Sequence, residues 1–449
     1  MSDLASVAST AATPISLTKR PRVLIIAELA NPDWVSVPLV GWSHWHALSK
    51  LVDGHLVTHA RNRENILRTG AAPERLTTID TASLERPLYR VADALTGRTG
   101  GGRTIFTALG TFPYYYFEHL LWRRLGPRIR AHEWDVVHRL TPLTPASPSL
   151  LAAKCAQHGV PFVIGPLNGG LPWPKGFDYA LLQEREWLSY VRGAYKLLPG
   201  YRRTRRFASA IITGSLETRR QIDPSFQDKT VYIPENAIDP GRFTHEKVGP
   251  VTLPLKVAFV GRFTLFKGAD MLIEAAAPLV RAGRVKLDLI GDGQQAAALR
   301  ALAEREGLPA SIFAGWVDHT TLQDRLAASD VFAFPSIREF GGGVVLESMA
   351  LGLVPIVMDY GGPGELVSQS AGLRLPMGSR AQIVDALRAA LDELASDPSR
   401  IRQMGACARA RVFRNFTWDA KAAQVLEVYR WVLGERGKPD FGMPLPDLS

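Results

Sequence analysis

The chain has 449 residues, of which 46% are hydrophobic and 21% charged, a composition that excludes extended disorder and, at roughly three times the size of a typical single domain, predicts two domains. A formal net charge of +10 implies an anionic partner (a nucleic acid, a phosphorylated substrate or a lipid surface) without choosing among them. Cys155 and Cys407 are too far apart in the chain for a metal or disulfide framework, and no apolar run is long enough to span a membrane, so the expected setting is the cytoplasm.

Residues 1–20 are small and polar and read as a disordered lead. A buried-strand run at 22–28 follows, then a loop containing Asn31, Pro32 and Asp33, then a helical pattern from about Ser43. Further strand candidates lie at 55–59, 135–138, 160–164 and 208–213, with helical stretches near 114–131, 146–157 and 180–197. Strands alternating with helices imply a parallel sheet. Turn-forming residues without periodicity place a linker at about 238–253, after which the alternation resumes with strands at 256–261, 286–291, 311–314, 331–335 and 354–358. A closing helix at about 418–434 carries Ala422, Val425, Leu426 and Tyr429 at helical spacing, an apolar face suited to the domain junction. The expected architecture is therefore α/β, with domains at 21–240 and 254–415 facing across a cleft, and 416–434 returning to the first.

The stretch 335–353, PSIREFGGGVVLESMALGL, organises the rest. Gly341, Gly342 and Gly343 let the backbone approach a ligand closely, and the helix beginning near Val344 aims its positive end at the same place, which makes a seat for phosphate. Glu339 on the loop and Glu347 on the helix flank that seat, and a carboxylate suits the paired hydroxyls of a sugar. Arg262 and Lys267, just past the strand at 256–261, can neutralise a departing diphosphate. Without the glycines, both cations would read as solvated loop charges and both acids as ordinary surface or helix residues. Gly291-Asp292-Gly293 and the strand end at Phe313, Gly315 and Trp316 are weaker signals: the first fits a structural turn and the second fits core packing as well as a nucleobase pocket.

The segments FVGRFTLFKGADMLIEA, LIGDGQQAAAL, EFGGGVVLESMALGLVPIVMDYGGPGELV and FTWDAKAAQVLEVYRWV resemble the retaining glycosyltransferases of the GT-B fold, the sucrose-synthase and mannosyltransferase type, closely over about 254–434 and loosely over 22–237. The resemblance implies two Rossmann-like domains and no metal or other cofactor. It assigns Arg262 and Lys267 to the donor diphosphate, Glu347 to the ribose and Glu339 to the donor sugar. Gly261, Gly291 and the backbone of Gly341, Gly342, Gly343 and Val344 border the donor, and Gly361, Gly362 and Glu365 match the next motif. Two departures stand out: Asn236 is followed by Ala237 instead of glycine, and 165–170 (GPLNGG) has no histidine. His138, His44 and His46 are the substitutes, structural or on the acceptor side, and Gly41 is what remains of the expected glycine loop after the first strand.

Most of the 10 tryptophans lie in the first half, beside the basic runs Arg123, Arg124, Arg128, Arg130 and Arg202, Arg203, Arg205, Arg206. Such runs suit docking on anionic lipid headgroups near a lipid-linked acceptor, and equally suit helices with a solvated basic face; no nucleic-acid module accompanies the charge. The resulting expectation is a hexosyltransferase drawing on a nucleotide-diphosphate sugar and serving a glycan or lipid-linked acceptor, peripheral on the inner face of a membrane. The alternatives are a non-catalytic partner of another transferase and a nucleotide-sugar epimerase of the same fold.

Overall fold

The structure is a computed structural model describing residues 19–84, 103–177, 194–245 and 249–445, with the side chains of 103–112, 319 and 320 left aside. The disordered lead, apart from its last two residues, and most of the helix expected at 180–197 lie outside the described residues. Among those described, two sheets carry the architecture, and all strand pairings are parallel. The first has the order β3-β2-β1-β4-β5-β6-β7, the second β10-β9-β8-β11-β12-β13. In the first are β1 (Arg22–Ala27), β2 (Asp53–His59), β3 (Leu76–Ile79), β4 (Val136–Thr141), β5 (Phe162–Leu167), β6 (Ala210–Thr213) and β7 (Thr230–Tyr232). In the second are β8 (Leu255–Val260), β9 (Val285–Ile290), β10 (Phe313–Gly315), β11 (Val331–Phe334), β12 (Val354–Met358) and β13 (Leu373–Leu375).

Strand order reverses between β1 and β4 in one sheet and between β8 and β11 in the other. The loops leaving those strands diverge and open a crevice at each reversal, the position where open parallel sheets take ligands. Both crevices face the same cleft, which the loops after β1, β4 and β11 line.

Three strands escaped the periodicity. β3, β7 and β13 are edge elements of three or four residues, too short to carry an apolar run. The first helix runs over Val37–Leu48, earlier than the pattern suggested, because Pro38 fits a first turn where its missing N–H is not needed. Gly41 therefore belongs to this helix and not to a loop; a Cβ there would stand 2.1 Å from the Leu29 carbonyl oxygen, so its bareness lets the helix pack on the loop after β1. The long helix Arg103–Arg130 buries Tyr114, Phe117, Leu121, Leu125 and Ile129 and exposes Arg123, Arg124, Arg128 and Arg130.

The closing helix Trp418–Val432 packs back on the N-terminal domain. Ala422, Val425, Val428 and Tyr429 join the core beneath β1, β4 and β6, and the Tyr429 hydroxyl meets His138 Nδ1 at 2.6 Å. Thr417 caps the helix by accepting from the Ala420 amide at 3.1 Å, while the Ile238 amide donates to the Phe416 carbonyl at 2.8 Å and the Ile238 carbonyl accepts from the Trp418 amide at 3.2 Å. The chain thus crosses between domains at Ile238 and again at Thr417, side by side. No helix among the described residues is long and apolar enough to cross a membrane.

Candidate active site in the interdomain cleft

The cleft has a volume of about 1000 Å³ and is bounded by both domains. Its C-terminal wall starts from two loops locked together. Gly268, at φ +77°, would place a Cβ 2.4 Å from the Pro335 carbonyl oxygen, so only glycine lets the loop after β8 lie against the exit of β11. The Ile337 amide and the Ser336 hydroxyl both donate to the Phe266 carbonyl, at 2.9 and 3.0 Å. This clasp fixes Lys267 beside Glu339, and the two side chains form an ion pair with 16% and 19% of their surfaces exposed. The Lys267 ammonium also lies over the Phe334 ring, 5.0 Å from its centroid.

Gly342, at φ +66°, caps the helix Gly343–Ala350, which has no side-chain cap. Gly341, Gly343, Val344 and Glu347 line the cleft, so the open helix N-terminus presents backbone N–H groups and a positive dipole end to it. Glu347 sits on the second turn rather than the first. Burial raises its carboxyl above the ordinary value, opposed by the Arg242 guanidinium. Arg242 itself lines the cleft from the linker.

The remaining sequence candidates take other places. Arg262 is exposed and outside the cleft lining. Gly261 and Gly291 are strand-end contacts, with the Gly261 amide bonded to the Ile290 carbonyl at 3.1 Å and the Gly291 amide to Gly315 at 2.9 Å. His138 is fully buried, holding the Gly165 carbonyl through Nε2 at 2.7 Å and Tyr429 through Nδ1; burial pushes its pKa down to about 4. That network is a joint between sheet and closing helix, not a cleft group. His44 is 1% exposed, one layer behind the wall, with its ring 5.6 Å from that of Trp418 and both ring nitrogens unbonded. Burial first, then the Lys421 and His138 charges, holds it well below the usual histidine range. Trp316 is 73% exposed and does not pack into the core, while Phe313 packs edge-on against Phe263. Arg205 is buried, stacked 3.4 Å over Tyr201 and bonded to the Pro145 carbonyl at 2.7 Å, so the second basic run does not present all four of its charges to solvent.

Several groups had no place in the cleft or at the domain seam from the sequence alone. Glu235 and Asn236 reach the cleft from the loop after β7, Arg242 from the linker and Asn168 from the end of β5. The Asn236 amide lies over Gly341, where an added Cβ would stand 2.0 Å from its nitrogen. Glu365 crosses the domain boundary: its carboxylate accepts from the Leu216 amide at 2.9 and 3.0 Å and from the Tyr232 hydroxyl at 2.6 Å. Tyr360 donates across the same seam to the Pro172 carbonyl at 2.8 Å. No local signal marks such long-range pairs. Among the described residues no three His, Cys, Asp or Glu side chains gather as a metal-holding group.

Comparison with known proteins agrees with this geometry. The sequence pattern of the family described as glycosyl transferases group 1 matches residues 254–393. A GDP-mannose-dependent monoacylated alpha-(1-6)-phosphatidylinositol monomannoside mannosyltransferase of Corynebacterium glutamicum is 32% identical over 296 residues, covering 62% of this chain and 73% of that one. A glycogen synthase of Mycobacterium tuberculosis is 30% identical over 248 residues, covering 54% of this chain and 58% of its own length. Among solved structures, a sucrose-phosphate synthase from Thermosynechococcus elongatus shares the fold with a TM-score of 0.61 at 18% identity, covering 93% of this chain and 100% of that one. With its two parallel-sheet domains, crossing helix and glycine-capped cleft, the chain belongs to the group 1 glycosyltransferases and has the GT-B fold.

Proposed function

We propose that the protein is a retaining hexosyltransferase that moves a hexosyl group from a nucleoside-diphosphate sugar to a glycan or lipid-linked acceptor. The observation that carries this reading is the convergence of the open helix N-terminus after Gly342, Glu339 and Glu347 on one cleft, with Lys267 held at its edge by its ion pair to Glu339. The diphosphate lies against the helix end, with Lys267 neutralising charge as the sugar–phosphate bond breaks. Glu347 accepts the two ribose hydroxyls, and Glu339, released from Lys267, accepts a hydroxyl of the transferred sugar.

In the transfer step the bond from the anomeric carbon to the diphosphate oxygen breaks, and a bond to the acceptor oxygen forms on the same face. The departing diphosphate takes the acceptor's proton. The protein's part is positioning and charge stabilisation, so no side-chain base is required, and no metal or other cofactor enters the scheme. The exposed arginines of the helix Arg103–Arg130 would hold the enzyme on anionic headgroups, and the lipid acceptor named for the Corynebacterium glutamicum relative supports that choice.

The test is thermal stabilisation by a panel including GDP-mannose and UDP-glucose, followed by NMR of the sugar first released on slow hydrolysis. Release in the donor's own anomeric configuration is expected. Release of the opposite anomer, or interconversion of the donor with no acceptor, would contradict the proposal.

A further inference from the structure

The wall opposite Glu339 carries a second polar feature. Asn168, at the end of β5 and 7% exposed, lines the cleft. Its Nδ2 donates to the Glu235 carboxylate, while its Oδ1 is buried with no hydrogen-bond partner. Glu235 lines the same cleft from the loop after β7, where its backbone N–H donates a hydrogen bond to the Gly214 carbonyl at 3.2 Å. Gly214 makes the pairing feasible: a Cβ there would stand 3.0 Å from the Glu235 Cβ and 3.2 Å from the Asn168 Cβ. Any side chain would push the two apart.

Behind them lies Lys421 of the closing helix, 1% exposed with an unbonded ammonium. Its charge favours ionised Glu235, against burial, which raises that carboxyl, and against the nearby Glu339. A buried amide oxygen without a partner costs about 1–3 kcal/mol unless something bonds to it. The polar atoms that the pair places in the cleft wall are thus acceptors, the Glu235 carboxylate and, buried beside it, the Asn168 amide oxygen. A phosphate would be repelled by Glu235. A cation is disfavoured by Lys421 behind and by Lys267, which already takes up the Glu339 charge. Hydroxyl donors are what remains.

We propose that Asn168 and Glu235 form a hydroxyl-reading pair that selects the sugar admitted to the cleft opposite Glu339. This rests on the hexosyltransferase reading above. The hydroxyls belong either to the transferred hexosyl or to the acceptor's sugar, and the two have the same chemistry.

The test compares the parent with E235Q, which keeps volume and the bond from Asn168, and with N168S. Hydrolysis of UDP-glucose and GDP-mannose and transfer to octyl glucoside and octyl mannoside are measured beside binding of free UDP and GDP. Loss of a hydrogen bond to a charged or buried group predicts about a tenfold to hundredfold fall in kcat/KM with nucleotide affinity unchanged. A fall in hydrolysis as well as transfer assigns the pair to the transferred sugar, and a fall in transfer alone assigns it to the acceptor; both uphold the proposal. Folded variants with parental kcat/KM in both assays would overturn it. So would variants whose losses track lowered thermal stability and are not rescued by E235D, which would mark the pair as structural. A parent that turns over no nucleotide sugar refutes the enzyme reading itself, a result distinct from either.

Discussion

The Lys267 ammonium and the Glu339 carboxylate pair with each other across the loops after β8 and β11. A donor arriving in the cleft therefore has to exchange one ion pair for two contacts, diphosphate on Lys267 and sugar hydroxyl on Glu339. Breaking the pair from one side separates the two roles. E339Q frees Lys267, so free UDP or GDP is expected to bind at least as tightly as to the parent, while turnover falls by about tenfold or more. Calorimetry of the nucleoside diphosphate beside steady-state kinetics checks this, and weaker diphosphate binding in E339Q would count against the exchange.

Gly268 is the hinge point of that pair. Its positive φ and the 2.4 Å approach of the Pro335 carbonyl leave no room for a methyl group. G268A is expected to cost about 1–3 kcal/mol of stability through backbone strain and displacement of the loop, and to weaken diphosphate binding in parallel. Urea unfolding and binding assays on the same variant measure both; a variant as stable as the parent would show that the clasp is dispensable.

Glu365 ties the domains in the conformation described here. E365A strands the Leu216 amide and the Tyr232 hydroxyl, a loss of about 1–3 kcal/mol. Lower thermal stability and a larger radius of gyration by small-angle scattering are the expected results. An unchanged radius would mean that the other cross-domain contacts, such as Tyr360 to Pro172, hold the arrangement alone.

Lys421 introduces a pH dependence. Burial lowers its pKa from 10.5 to about 7, so between these values the unfolded chain keeps a proton that the folded chain releases. Stability contributed at this site rises with pH across that window, and the penalty is present in full below pH 7. K421M is expected to melt about 3 °C or more above the parent at pH 6, with the difference closing toward pH 10. The same variant should lose transfer activity, because Glu235 loses the charge that favours its ionised form. A constant difference across pH would remove Lys421 from the account.

Much of this was legible in the sequence because it is local. The strands at 22–28 and 354–358 are continuous apolar runs, and GGGVVLE carries its glycines, helix start and carboxylate within one short segment. β3, β7 and β13 were missed because an edge strand of three or four residues has no period to detect. Glu235, Arg242 and Asn168 were missed for another reason: their position in the cleft depends on how the crossing at Ile238 and Thr417 folds the domains together. His138 shows the reverse error, a residue with the right chemistry at a strand that the closing helix then covers.

Donor binding by Lys267 and Glu347 is tested by turnover of the preferred nucleotide sugar by the parent, K267A and E347A, with folding verified by circular dichroism. Both folded variants are expected to lose transfer almost entirely, K267A with weakened diphosphate binding and E347A with weakened binding of the whole nucleotide. Parental turnover in both would contradict it.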